Sequence, residues 1–208
     1  EDAFAESGFY QGGNTLNSIT FPSSITSIGI TAFYNCNLLT SIILPSSVTS
    51  IGSGAFNECS GLTSVTTPFG TDIDGNSVFS NCTNLTSIAI SDGVTIIKTN
   101  AFKSFTNITS INIPSSVTTI GFGAFQVCIG LTSITIPSSV TSIGDAAFYN
   151  CIGLTSIAIP SSTTHIGYSA FGGCLSITGA LIIPPSVSFI GDHAFSGCTS
   201  LTSVSLPS

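Results

Sequence analysis

The side chains with chemistry in them are few: seven cysteines, two histidines and a short Asp72–Asp74–Asn76 run. Cysteines at Cys36, Cys59, Cys82, Cys128, Cys151, Cys174 and Cys198 stand 23 or 24 residues apart, with one gap of 46. No Cys-x-x-Cys pair occurs, so the spacing does not build a zinc site. Phe105 occupies the slot that the gap skips, which marks it as an apolar core position. Buried free thiols are expected there; one or more bridges remain open, although an odd number cannot all pair. His165 falls in a slot that other copies fill with Ser50, Thr119 and Ser142, and His193 in a variable slot before Ala194. Both read as surface substitutions. Ser and Asp are so widespread that a Ser-His-Asp match means nothing here. No Glu pair or phosphate-binding glycine loop accompanies them. The chain is therefore expected to be no enzyme and to carry no cofactor.

Two weaker signals remain. Asp72, Asp74 and Asn76 form an Asp-x-Asp-x-Asn oxygen cluster of calcium type, but the closing Glu of such a loop is missing. A plain turn rich in Asp, Gly and Asn is the competing reading. Three N-glycosylation sequons occur, at Asn81-Cys-Thr, Asn84-Leu-Thr and Asn107-Ile-Thr. The Ser/Thr-rich surface could also take O-linked sugars.

These residues are positioned by a repeat. Phe33, Phe56, Phe79, Phe102, Phe125, Phe148 and Phe171 recur every 23 residues, and Phe195 follows after 24. The unit reads L-T-S-I-x-I-P-x-x-V-T-x-I-G-x-x-A-F-x-x-C. Its first segment is a short strand that Pro stops, because Pro lacks the ladder donor. V-T-x-I is a second extended piece. The Gly that follows suits a positive φ or a close backbone approach. A-F-x-x-C reads as one helical turn with Phe and Cys on one face. A unit this short cannot bury its own apolar side, so the units must stack into a solenoid. Residues 1–208 are then one domain of about nine units, with Phe above Phe and Cys above Cys.

The stretch LTSITIPSSVTSIGDAAFYNCIGL, residues 131 to 154, resembles the BspA-like (Treponema-type) leucine-rich repeat family at every defined slot. The resemblance covers nearly the whole chain. It implies a right-handed leucine-rich-repeat coil with a parallel sheet on its concave face. It also implies a large protein of the cell surface or the extracellular space, and, for several members, adhesion to host or matrix proteins. Departures should appear as local bulges. They fall at residues 5–15 (about six extra residues), at 68–79, at Lys98 in the Gly slot, and at a one-residue insertion beside Gly179.

Composition narrows the function. Charged residues are 5% of the chain, against about 25% in ordinary proteins. Lys98 and Lys103 are its two cations, so nucleic acid and anionic membrane are poor partners. No apolar run approaches the roughly 18 residues of a membrane span, so no membrane insertion is expected. The chain begins at Glu1, which fits processing or a longer parent. Outward strand slots carry a threonine ladder, Thr40, Thr63, Thr86, Thr109, Thr132, Thr155, Thr178 and Thr202, and beside it a serine ladder. One outward slot varies: Ile43, Thr66, Ala89, Asn112, Thr135, Ala158, Ile182 and Ser205. So uniform a face suits regular partners. The chain also opens at EDAF and closes at SLPS with no evident capping unit, an association hazard for a solenoid. The first expectation is a non-catalytic extracellular structural protein joining head to tail into a fibre or surface layer. The second is an adhesion module for host, matrix or neighbouring-cell proteins. The third is an ice- or glycan-binding threonine face.

Overall fold

A computed structural model describes residues 15–67 and 78–206. Among the described residues, fourteen short strands follow one another. The first eight are β1 (Ser27–Ile28), β2 (Ser41–Ile43), β3 (Ser50–Ile51), β4 (Ser64–Thr67), β5 (Ser87–Ile90), β6 (Ile96–Ile97), β7 (Ser110–Asn112) and β8 (Thr119–Ile120). Then come β9 (Ser133–Ile134), β10 (Ser142–Ile143), β11 (His165–Ile166), β12 (Gly179–Ile182), β13 (Phe189–Ile190) and β14 (Leu201–Ser205). Every pairing is parallel and, except for Gly179 opposite Leu201, joins a residue to its equivalent one unit on, as in Ser41 to Ser64 to Ser87 and Ile120 to Ile143 to Ile166.

Two sets of sheets result. The L-T-S-I-x-I segments make a five-stranded sheet, β2-β4-β5-β7-β9, and a two-stranded one, β12-β14. The V-T-x-I segments make β6-β8-β10-β11-β13 and β1-β3. The described residues therefore complete about seven turns of a parallel β-solenoid, fewer than the nine units counted in the sequence, a count that includes the partial units at both ends. Around Ile157 no strand is present, yet the ladder runs on through the Thr155 and Thr178 amides, which donate to the Thr132 and Thr155 carbonyls at 3.1 Å each.

Pro closes the first strand as expected and starts a turn. The Val48, Val117 and Val140 amides donate back to the carbonyls of Pro45, Pro114 and Pro137 at 3.0–3.1 Å. The Gly after V-T-x-I serves close approach rather than unusual φ. A Cβ on Gly144 would stand 2.8 Å from the Gly121 carbonyl carbon and 2.9 Å from the Phe122 nitrogen, both backbone atoms of the previous turn. The insertion beside Gly179 is a local bulge, as expected: Gly179 has φ 81 and the register with β14 shifts between Gly179 and Ala180.

The A-F-x-x-C segment is not helical, which corrects the expectation. In the second described copy, Ala55 and Asn57 donate to the carbonyls three residues back, Gly52 (3.2 Å) and Gly54 (2.9 Å). The amides between and after them, on Phe56 and Glu58, cross to Val78 and Ser80 of the next turn, both at 2.9 Å. A helix needs each amide to bond four residues back. Here every second donor leaves the segment to tie two turns together. Left-handed residues four apart enforce this, Gly54 (φ 66) with Glu58 (φ 62) and Ala146 (φ 51) with Asn150 (φ 58), because a right-handed helix cannot pass through them.

The core is one continuous cluster running from Ile28 to Ala194. Its spine is the phenylalanine column. Phe33, Phe56 and Phe79 stack with centroids 5.1 and 5.4 Å apart, and Phe102, Phe125, Phe148, Phe171 and Phe195 continue at 5.1–5.4 Å. Phe105 interrupts the stack. Its buried ring meets Phe79 at 6.0 Å and 46° and Phe102 at 6.2 Å and 56°.

Candidate functional site

The cysteines face inward and all seven are free. Six thiols donate to the carbonyl of the phenylalanine one turn back, from Cys59 to Phe33 (3.2 Å) through Cys151 to Phe125 (3.1 Å) to Cys198 to Phe171 (3.2 Å). These bonds give the buried thiols a partner; the Phe56, Phe125, Phe148 and Phe171 carbonyls also accept from the Cys amide three residues on. Burial pushes the Cys174 thiol up, with the Cys151 and Cys198 thiols adding to the shift. Held neutral, the Cys174 thiol is a poor nucleophile and serves the core. Among the described residues no three His, Cys, Asp or Glu side chains gather as a metal site. Asp72, Asp74 and Asn76 lie outside the described residues.

All eight residues of the threonine ladder are exposed. Their hydroxyls nevertheless serve the fold. Thr63, Thr132, Thr155 and Thr178 donate through Oγ1 to the Thr40, Thr109, Thr132 and Thr155 carbonyls at 3.0–3.4 Å, beside the amide bond to the same oxygens. A second, parallel ladder escaped the sequence reading. Thr49, Thr118, Thr141 and Thr164 donate likewise to Thr26, Thr95, Thr118 and Thr141 at 3.1–3.2 Å. A third set, Ser116, Ser139 and Ser162, reaches the Val94, Val117 and Val140 carbonyls. The V-T and P-S-S repeats carried that signal, since a side-chain donor repeated at fixed pitch beside a strand finds the neighbouring carbonyl.

The sequon asparagines are exposed. Asn84 and Asn107 turn their Nδ2 atoms back onto the Ser60 and Thr83 carbonyls, at 2.7 and 3.2 Å. Asn81 occupies a left-handed slot at φ 57.

What differs from turn to turn sits outside these ladders. On the first sheet, Ile43 and Ile182 are each 70% exposed in the variable slot, and Asn112 is exposed between them. On the second sheet, the His165 and Phe189 rings stack at 4.5 Å and 6°, and Tyr168 meets Phe189 edge-on at 5.8 Å. His193 lies apart, exposed in a left-handed slot at φ 60. No helix of the described residues is long and apolar enough to cross a membrane.

The periodic Phe, Leu and Cys columns with hydroxyl ladders between them match known proteins. A family model described as a BspA type leucine rich repeat region (6 copies) matches residues 3–132 and 118–208. The leucine rich repeat protein of T. pallidum is similar at 34% identity and TM-score 0.54, over 57% of each chain. A leucine rich cell surface protein from Faecalibacterium prausnitzii is similar at 33% identity and TM-score 0.56, over 93% of this chain and 54% of that one. The pneumococcal vaccine antigen PcpA shares the fold at 19% identity and TM-score 0.53. The chain thus spans little more than half the length of these solved structures. No curated protein matches it. The chain belongs to the BspA-type leucine-rich repeat family.

Proposed function

We propose that the chain is a non-catalytic interaction scaffold displayed at the cell surface, binding other proteins through the outward residues that vary from turn to turn. The observation that carries this reading is the division of labour on its surface. The uniform hydroxyls of Thr63, Thr132, Thr155 and Thr178 are spent on neighbouring carbonyls. Two of the residues left to distinguish one turn from another, Ile43 and Ile182, are large and strongly exposed. Isolated surface apolar groups are ordinary, but here they stand out from a copied polar background. The likeness to a leucine rich cell surface protein supports the location.

This ordering differs from the sequence expectation, which put the fibre first. Committed hydroxyl protons also leave the threonine face less suited to ice or glycan than free donors would be. The test is binding of the purified chain to a panel of extracellular matrix proteins, with light scattering on the same sample. A monodisperse monomer with saturable binding, weakened by Ile43→Thr together with Ile182→Thr, is expected. Long polymers and no saturable binding would replace the reading with end-to-end assembly.

A further inference from the structure

Residues 93–208 contain two carboxylate side chains, Asp145 and Asp192, and both occupy the same slot of the repeat, directly after the recurring Gly of their units. The same slot holds Phe122 and Tyr168 in the turns between and before them. The backbone places all four in one column: Gly123, Ala146 and Ser169 donate to the carbonyls of Asp145, Tyr168 and Asp192 at 2.9, 2.7 and 2.9 Å. The order along the column is ring, acid, ring, acid, with a step of about 4.8 Å between turns. Phe122 is 48% exposed and Tyr168 49%. Beside Tyr168 stands Phe189, 37% exposed, its ring meeting Tyr168 edge-on and lying flat on His165. Asp145 is fixed next to Tyr168, whose amide donates to its Oδ1 at 2.8 Å.

Three of the four exposed aromatic rings of the described residues and every acid after Asp92 thus occupy two neighbouring slots, in and just beyond the strands of the second sheet. Equivalent positions elsewhere hold Ile30, Ser53 and Thr99, or Ser50, Ile96, Thr119 and Ser142, none of them aromatic or acidic. No Lys or Arg follows Lys103, so the chain supplies no lysine or arginine counter-ion from that half. The partner that fits such a surface is a cation with a flat face. A guanidinium is planar, stacks on aromatic rings and pairs with a carboxylate through two parallel N–H bonds; an ammonium does only part of this.

We propose that Phe122, Tyr168, Phe189 and His165, with Asp145 and Asp192, form a docking surface for an arginine-bearing segment of a partner protein. The inference rests on the scaffold reading but assigns the recognition to the second sheet, away from Ile43 and Ile182. A guanidinium would sit between successive rings and take its counter-charge from the acid one turn along. The wider chain, at net charge −7, would attract such a segment without fixing it.

The test is fluorescence anisotropy of a labelled Gly-Arg-Gly-Arg-Gly peptide against the whole chain at low salt. The same peptide with Lys for Arg, and N-acetylglucosamine as competitor, complete the set. Tyr168→Ser with Phe189→Ser keeps net charge and uses a residue that other turns carry in the same slots, Ser53 and Ser142. It should weaken the Arg peptide about tenfold. Asp192→Asn should weaken it several-fold, and Asp92→Asn, an equal charge change elsewhere, should leave it unaltered. Binding that follows net charge alone, with Asp92→Asn as harmful as Asp192→Asn, would overturn the proposal. So would unchanged affinity in the ring variant with retained circular dichroism, or displacement of the peptide by the sugar. Failure here leaves the scaffold reading standing, since that is decided by Ile43 and Ile182 on the other sheet.

Discussion

Replacing Phe148 by Ala removes one ring from the middle of the spine. The side chain is fully buried and lies between Phe125 and Phe171, with both centroids 5.1 Å away and interplanar angles of 16° and 3°. Truncating a buried Phe to Ala costs about 3–5 kcal/mol. Each stacked neighbour adds about 0.5–1.5 kcal/mol beyond area alone. Two such neighbours put Phe148→Ala at the upper end, about 5 kcal/mol. Because turns are stabilised only by their neighbours, the loss weakens both halves of the coil. Phe105→Ala should cost less, about 3 kcal/mol, because its two ring contacts are tilted and already break the stack. Urea unfolding followed by far-ultraviolet circular dichroism gives both values. A Phe148→Ala loss no larger than that of exposed Leu38→Ala would refute the stacked-column argument.

Three further predictions concern the turns. Val127 holds a left-handed slot at φ 61 that Asn35, Asn81 and Asn150 fill elsewhere; Val127→Asn should stabilise by about 1 kcal/mol, read as a higher Tm. Thr155→Val removes the hydroxyl bond to Thr132 but keeps the amide bond to the same oxygen, so urea unfolding should show a loss below about 1 kcal/mol. The Cys174 thiol, raised by burial above its ordinary 9.0, stays neutral in the folded chain while the unfolded chain ionises. Its contribution is therefore full below that value and falls progressively as pH rises from it toward the raised value of the folded chain, and Cys174→Ala should flatten the stability loss above about pH 9.

The columns were legible because a solenoid converts a linear period directly into vertical contact. Phe56, Cys59 and Leu62 could be assigned to the core from spacing alone, and Phe105 in a cysteine slot already argued against a disulfide ladder. The form of the A-F-x-x-C turn was not legible. Phe and Cys three apart lie on one face of a helical turn and of two successive tight turns alike. The choice is made by amides such as Phe56 and Glu58, whose partners lie a whole unit away. The hydroxyl ladders were half legible: their positions followed from the repeat, but whether a threonine faces solvent or a neighbouring carbonyl depends on register between turns. The patch around Tyr168 was hidden for another reason. His165 shares a slot with Phe189, and Asp145 with Tyr168, but the residue types differ from turn to turn within each slot, and only the lateral geometry of the second sheet brings the two slots together. A period search finds like residues above like and passes over unlike residues side by side.

A crystal structure measures the main proposition without intermediary, through the density of the Phe125, Phe148 and Phe171 rings. The account predicts near-parallel rings in a single file, about one strand spacing apart, with the Cys151 and Cys174 thiols against the carbonyls of Phe125 and Phe148. Rings pointing into separate pockets, or a sulfur–sulfur bond joining Cys151 to Cys174, would contradict it.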